Sequence, residues 1–434
     1  MRVSSWPSTA EVNAVKERVV QMSGGNIGDV RIVVSPYRIC PLGAHIDHQG
    51  GIVSAMTINK GIILGFIPSD DGQIILQSGQ FDGDVRFKVD VSQLPRSSTA
   101  AQENGASKSC NKELDWGCYA RGAVYALQRR GFHLDKGIIG FICGSDGLDS
   151  SGLSSSAAVG VAYLLALENA NSLIVSQTDN IELDRLIENE YLGLRNGILD
   201  QSAVLLSKYG CLMRMNCKTK EHNLVRLFEM EGNQRINGHG AYKILLAFSG
   251  LKHALANNPG YNSRVSECQE AARLLLCASG DEDVEPLLCN VDPSTYEAHK
   301  AGLEPNLAKR AKHYFTENFR VKEGLKAWAS GELETFGKLI SASGLSSIEN
   351  YECGCEPMIQ LYQILVRAPG VYGARFSGAG FRGCCLALVD ADRAEEAASF
   401  VKLEYPKVQP KLANQLKQDK IVLICEAGDC AQIL

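Results

Sequence analysis

At 434 residues the chain exceeds what one ordinary hydrophobic core organises, so two domains are expected. Apolar residues make up 45% and charged residues 21%, the balance of a globular protein rather than a disordered or fibrous one. The net charge of -5 provides no global basic field for nucleic acid or a membrane surface, so any anion must be met by local positive groups.

The 15 cysteines form no zinc pattern: Cys353 and Cys355, and the neighbours Cys384 and Cys385, stand too close, and no CxxC pair recurs. The N-terminus lacks an apolar signal segment, and no run of 18 apolar residues occurs. A cytoplasmic protein with reduced, mostly buried thiols and no transmembrane helix is expected.

Residues 9–22 read as an amphipathic helix, because Val12, Val15, Val19 and Val20 share a face and Gly24-Gly25 stop it. Residues 30–34 form a β-branched strand running into Pro36, and strand-like runs follow at 52–66 and 74–76. The stretch 93–115 is polar, with the composition of a mobile surface loop. Helices are expected at 116–128, 157–167 and 181–192, with a buried strand at 137–143. Around 216–227 the pattern turns polar before a new apolar strand at 244–248, which places the division between domains at 1–222 and 223–434. Beyond it, helices at 265–277, 303–325, 333–345 and 357–366 alternate with strands at 374–376, 384–389 and 421–425. There is no internal repeat.

Three segments carry chemistry. The first, 36–51, packs Arg38, His45, Asp47 and His48 into a turn bounded by glycines. Arg38 could meet a phosphate while His45 and Asp47 bind sugar hydroxyls; a hydrogen-bonded turn or a metal site would use the same residues. The second is Ser151-Gly152-Leu153-Ser154-Ser155-Ser156-Ala157-Ala158, opening an apolar helix. A helix N-terminus presents unpaired N–H groups and partial positive charge, and small residues let an anion approach; a plain serine cap needs only one hydroxyl. The third, Gly373 to Cys385, holds Ser377-Gly378-Ala379-Gly380, which implies tight turns and close backbone approach, as a glycine hairpin also would.

In this order the three segments resemble the motifs of the GHMP kinases, most closely the galactokinase branch. The likeness extends through Asn196-Gly197-Ile198-Leu199-Asp200-Gln201, Tyr261-Asn262-Ser263-Arg264 and Asn350-Tyr351-Glu352, nearly the whole chain. No GxxxxGK[ST] loop occurs, so the serine loop must be the phosphate cradle. The resemblance implies an α+β, two-domain GHMP kinase fold, with a ribosomal protein S5 domain 2-like N-terminal domain, a ferredoxin-like C-terminal domain and the site in the cleft between them. It also implies ATP as phosphoryl donor, Mg2+ and a sugar acceptor, with no nucleic acid, membrane or obligate protein partner.

The residue roles follow by match of motif. Asp200 is the base for the anomeric hydroxyl, and Arg38 stands beside it and the transferring phosphate. ATP falls to Gly152, Leu153, Ser154, Ser155, Ser156 and Ala157, with Gly378 and Gly380 closing from the second domain and Trp116 near the adenine. Ser156 and Glu188 hold the metal; Glu188 lies twelve residues before Asp200, as in the family, while Glu190 could be taken for it. His45, Asp47, Gly197 and Tyr261 meet sugar hydroxyls. Arg382 replaces a usual glycine and either adds a phosphate contact or faces solvent.

One position departs from the pattern. Galactokinases carry a Glu before the motif's histidine, where it holds the sugar's O6 hydroxyl; here the residue is Ala44. Its absence removes a hydrogen bond, but also a repulsive charge, which suits a sugar with a carboxylate at C6. The expected substrate is therefore a small sugar acid, D-galacturonate, with Arg195 and Asn196 beside Gly197 as candidates to bind its carboxylate. Galactose, glucuronate and arabinose are the rival sugars. The rival class is a non-catalytic sugar sensor, disfavoured by the whole serine loop and by the presence of Arg38, Glu188 and Asp200.

Overall fold

The first helix, α1 (Thr9–Ser23), starts where its sequence says it should. The Ser8 hydroxyl accepts from the Glu11 N–H, the Glu11 carboxylate accepts from the Ser8 N–H, and Gly24 closes the other end in a left-handed conformation. Val15 and Val19 are its buried residues. The protein is described from a computed structural model that covers residues 6–90, 116–145, 153, 155–228, 241–251, 259–416 and 420–434. The expected loop at 93–115, and Gly152 and Ser154, lie outside the described residues.

The first sheet is built on two long antiparallel strands, β1 (Arg31–Ile39) and β2 (Ile52–Ser69). The strand expected to run into Pro36 continues past it, because the register shifts between Pro36 and Arg38 and the bulge removes the demand for a ladder N–H. β3 (Gln73–Ser78), β4 (Val85–Lys88) and β5 (Gly137–Gly144) extend the sheet beyond β2 in the order β2-β5-β3-β4. A hairpin of β6 (Cys211–Asn216) and β7 (His222–Arg226) pairs with the start of β2. Helices α2 (Cys118–Arg129), α3 (Ser155–Ala170), α4 (Gln177–Arg185) and α5 (Leu199–Leu206) belong to this half; α4 runs on as a π-helix, Leu186–Tyr191.

The second sheet comprises β8 (Tyr242–Phe248), β9 (Val371–Phe376), β10 (Cys384–Asp390) and β11 (Val422–Cys425), all antiparallel, in the order β11-β8-β10-β9. Its last strand lies beside its first, followed by the third and second, which is the ferredoxin-like arrangement. Around it stand α6 (Pro259–Ser279), α7 (Pro293–His299), α8 (Pro305–Ala329), α9 (Leu333–Glu349), α10 (Glu356–Leu365), α11 (Ala394–Val408) and α12 (Pro410–Gln415). A short strand, β12 (Gln432–Ile433), then returns to pair with β1.

The division at 222/223 needs correction. It cuts β7, whose pairing with β6 keeps residues through Arg226 in the first sheet, and β12 carries the end of the chain back to that sheet. One apolar cluster joins Ile198 and Val204 of the first half to Leu275 and Phe376 of the second, so the halves share a core. No disulfide joins the cysteines among the described residues. Among the same residues no helix is long and apolar enough to cross a membrane.

α9 lies directly on β9. A Cβ added to Gly373 would stand 1.8 Å from the Gly337 carbonyl oxygen. Gly373→Ala should therefore push α9 off the sheet and cost about 3 kcal/mol, the upper part of the overpacking range. Urea unfolding of the variant measures it, and an unchanged midpoint contradicts this account of the contact.

Candidate active site

The 36–51 segment leaves β1 as a tight turn. Gly43 has φ +96°, and any Cβ there would meet the Val53 Cα at 2.6 Å. His45 also takes a left-handed conformation, φ +64°, which costs a residue with a side chain about 1 kcal/mol or more. Its ring stacks on Tyr351, centroids 4.3 Å apart and planes within 10°, and its Nε2 lies 3.4 Å from the Cys353 Sγ. His48 Nε2 lies 3.2 Å from the Tyr351 hydroxyl. Burial lowers His45 well below the usual histidine range and His48 to about 4, so both rings are neutral at pH 7 and serve as hydrogen-bonding groups. Ala44 is buried at 6% exposure.

Arg38, at the end of β1, is 3% exposed. Its Nε donates to the Asp200 Oδ1 at 2.7 Å, and a second guanidinium nitrogen lies 2.6 Å from the same oxygen. Burial opposes the charge on Arg38, but Asp200 outweighs it and the guanidinium is held more firmly protonated. Asp200 sits in the first turn of α5 with its side chain 25% exposed, open to a substrate on one flank. Asp47 accepts from the Leu199 N–H at 3.4 Å. Gly197 permits this approach, since a Cβ there would lie 2.2 Å from the Asp47 Oδ2. Burial, and then the charge of Asp200, push the Asp47 carboxyl up to about 6.

The serine loop comes to the same place: the Arg38 N–H donates to the Leu153 carbonyl at 3.3 Å. Ser155 and Ser156 open α3, and Ala157 is buried behind them. Ser156 stands beside Tyr119 and Glu188. Glu188 lies in the π-helix at 1% exposure; its Oε2 accepts from Asn196 at 2.8 Å, while its Oε1 is buried with no partner. Burial pushes its carboxyl up to about 7. Glu190 instead faces outward, accepting from the Tyr125 hydroxyl at 3.1 Å, so the structure separates the two glutamates. An orphan carboxylate oxygen beside a serine hydroxyl suits a hard cation such as Mg2+. No group of three or more His, Cys, Asp or Glu able to hold a metal exists among the described residues, so phosphate and water oxygens would have to complete the shell.

The glycine loop closes the opposite side. Gly378 and Gly380 have φ +65° and +82°, and a Cβ on Gly380 would stand 2.8 Å from the Cys353 Sγ, the atom that meets His45. Arg382 is half-buried, and burial lowers its pKa. Trp116 stacks near Phe81, planes within 9° and centroids 6.4 Å apart. Arg195 is exposed and donates to the Ser266 hydroxyl at 3.2 Å, and Asn196 is committed to Glu188. Tyr261 falls in the first turn of α6, its side chain outside the described residues.

Sequence reasoning missed Asp184. It is fully buried one turn before Glu188, neither carboxylate oxygen has a partner, and burial raises its pKa well above the usual range. Gly160 makes room for it, since a Cβ there would lie 2.0 Å from the Asp184 Oδ1. The signal was an acidic residue four before Glu188 on one helical face. It also gave no role to Tyr351 and Cys353, which hold His45 from a distance in sequence of some 300 residues.

Two family models match the chain: the GHMP kinases N terminal domain over residues 119–208, and GHMP kinases C terminal over 322–407. A galacturonokinase from Arabidopsis thaliana is 68% identical over 432 residues, covering 99% of this chain and 100% of that one. A galactokinase from Limosilactobacillus fermentum is 32% identical, covering 83% and 86% of the two chains. The crystal structure of Lactococcus lactis galactokinase complexed with galactose matches with a TM-score of 0.80 at 26% identity, covering 97% of this chain and 99% of that one.

Asp47 shows what the site costs the fold. Its folded pKa of about 6 lies above the ordinary 3.8, so its contribution is most favourable below the lower value and is lost as pH rises through the higher. Asp47→Asn removes that loss while keeping an oxygen for the Leu199 N–H. The variant's unfolding midpoint should exceed that of the parent by a few degrees at about pH 8 and match it closely at about pH 4. Thermal melts of ligand-free protein decide it; a gain that is the same at both pH values contradicts the assignment.

Proposed function

The chain belongs to the GHMP kinases, and from that premise we propose that it is a sugar-1-kinase transferring the γ-phosphoryl group of ATP to the anomeric O1 of D-galacturonate. The products are ADP and α-D-galacturonate 1-phosphate. The observation that carries the chemistry is the Arg38–Asp200 pair, a buried guanidinium locked to a partly open carboxylate. Residue 44 and the 68% identity along nearly the full chain support the choice of sugar.

In this reading Asp200 takes the O1 proton as O1 attacks the γ-phosphorus, and the proton stays on its carboxyl. Arg38 keeps Asp200 oriented and lends positive charge to the transferring oxygens. Asp47 accepts hydrogen bonds from sugar hydroxyls, and neutral His45 offers a further polar contact. The N–H groups at the start of α3 receive phosphate, Gly378 and Gly380 allow backbone to close over it, and the Trp116 and Phe81 faces receive the base. Ser156 and Glu188 would hold Mg2+, which when bound neutralises charge on the phosphate oxygens. Ala44 leaves the C6 carboxylate unopposed by a protein anion. Arg195 remains the proposed cation for that carboxylate, reaching it from the exposed rim.

ADP release with MgATP and galacturonate, glucuronate, galactose or arabinose in turn tests the reading. Strong turnover with galacturonate alone is expected. Turnover mainly with galactose overturns the argument from residue 44, and none with any sugar favours a sensor. Asp200→Asn should lower kcat about a thousandfold while sugar binding persists. Ala44→Glu should lower kcat/KM for galacturonate about a hundredfold and spare galactose, as expected when a like charge is restored.

A further inference from the structure

The turn bearing Ala44 and His45 emerges from the first sheet, yet much of what holds it comes from the second half of the chain. Glu317 on α8 accepts from the Gly43 N–H at 2.8 Å. His313, one helical turn earlier, has Nε2 3.0 Å from the Ala44 carbonyl oxygen and Nδ1 2.9 Å from the Ser346 hydroxyl. A carbonyl can only accept, so the ring proton sits on Nε2 and Ser346 donates to Nδ1. Asn318 accepts from the Ile52 N–H at 3.0 Å, where the chain leaves the turn. The peptide groups on either side of Gly43 and Ala44 are thus pinned, between two residues held in the left-handed region.

The pins are themselves rigid. Glu317 is fully buried and accepts from the Ser343 hydroxyl at 2.5 Å and from Arg320 at 2.7 Å, with Arg375 at 3.4 Å. Burial would push its carboxyl up, but Arg320 and Arg375 hold it down at about 2, so it stays an anion. Arg375 also donates to the Phe376 carbonyl, immediately before the glycine loop. One buried carboxylate therefore ties the sugar-site turn to the strand that carries that loop.

We propose that His313 and Glu317 are positioning residues for sugar selection, fixing where Ala44 and His45 stand relative to Asp47 and Asp200. The inference rests on the sugar-kinase reading. Neither residue reaches the reacting atoms, and both bind backbone, so their effect falls on how the turn is held rather than on what it carries. Among the described residues of the proposed nucleotide side, Trp116, Ser155 and Ser156 make no hydrogen bond to either of them.

The test compares kcat and KM for galacturonate, galactose and ATP, with thermal melts, in the parent, His313→Leu and His313→Gln. His313→Leu should raise the galacturonate KM about tenfold, the size of one lost buried hydrogen bond, and narrow the preference over galactose, with the ATP KM within about twofold. His313→Gln, which keeps an N–H able to reach the Ala44 carbonyl, should recover most of the difference. If His313→Leu does not fold, Ser346→Ala, which frees the ring while leaving it in place, is measured instead with the same split expected. Sugar and ATP KM rising together, no rescue by Gln, or an unchanged sugar KM in a folded variant each overturn the proposal. Absence of sugar-dependent ADP release in the parent overturns the underlying reading independently of any variant.

Discussion

The structure around the cleft depends on one constraint: the Arg38 guanidinium is buried and cannot shed its charge, so it must be paired. Its partner lies 162 residues away. The bulge in β1, the bond from the Arg38 N–H to Leu153 and the start of α5 at Leu199 all meet at that pair. Gly197 must be small because Asp47 fills the space a side chain would need, and Asp47 in turn braces the N-terminus of α5. Side chain, backbone and helix register are fixed together, which is what the proposed phosphoryl transfer needs if orientation supplies most of the effect.

The electrostatic layout has two sides. On one stand Asp184 and Glu188, whose burial raises their pKa values, and near them the unpartnered oxygens of Asn189 and Gln201. Such groups are rare in a folded interior, and their concentration between α4 and α5 is what a place completed by water or ligand would show. On the other stand Arg375 and neutral His45, His48 and His313, with Glu317 as the compensating anion. There nearly every polar group is matched within the protein. The side of Asp184 and Glu188 is left open and the side of the 43–45 turn is built in advance, a division suited to the proposed reaction, whose co-substrate brings its own charges and whose sugar is discriminated by shape.

The sequence was most legible where chemistry and local geometry coincide. Glycines at 378 and 380 make, with positive φ, the tight turns their motif implied, and α1 follows its valine stripe and its glycine stop. It was less legible where one strand face is exposed: β7 is solvated along most of its length, so 216–227 read only as a polar stretch. The return of β12 to β1 has only two residues and leaves no periodicity to detect. Spacing to Asp200 singled out Glu188 over Glu190, and the helix turns the first inward and the second out. The hold of α8 on the 43–45 turn was illegible for a different reason. His313 and Glu317 lie on an ordinary amphipathic helix, and nothing local distinguishes a residue that binds a distant peptide group from one that caps a core.

The same arrangement explains how residue 44 can differ without damage to the machinery around it. A cleft with the glutamate of the galactokinase pattern and a neutral hexose, and a cleft with Ala44 and a uronate, hold the same number of carboxylates. The charge has moved from protein to substrate, so Arg38, Asp47 and Asp200 face an unchanged balance. The turn is also indifferent to the exchange, because α8 grips the Gly43 N–H and the Ala44 carbonyl rather than any side chain at position 44. A backbone-directed clamp conserves the geometry of the turn while its side chain is free to set which sugar completes it. A side-chain-directed clamp would have coupled the two, and a single substitution there would have disturbed His45 and Asp47 along with specificity.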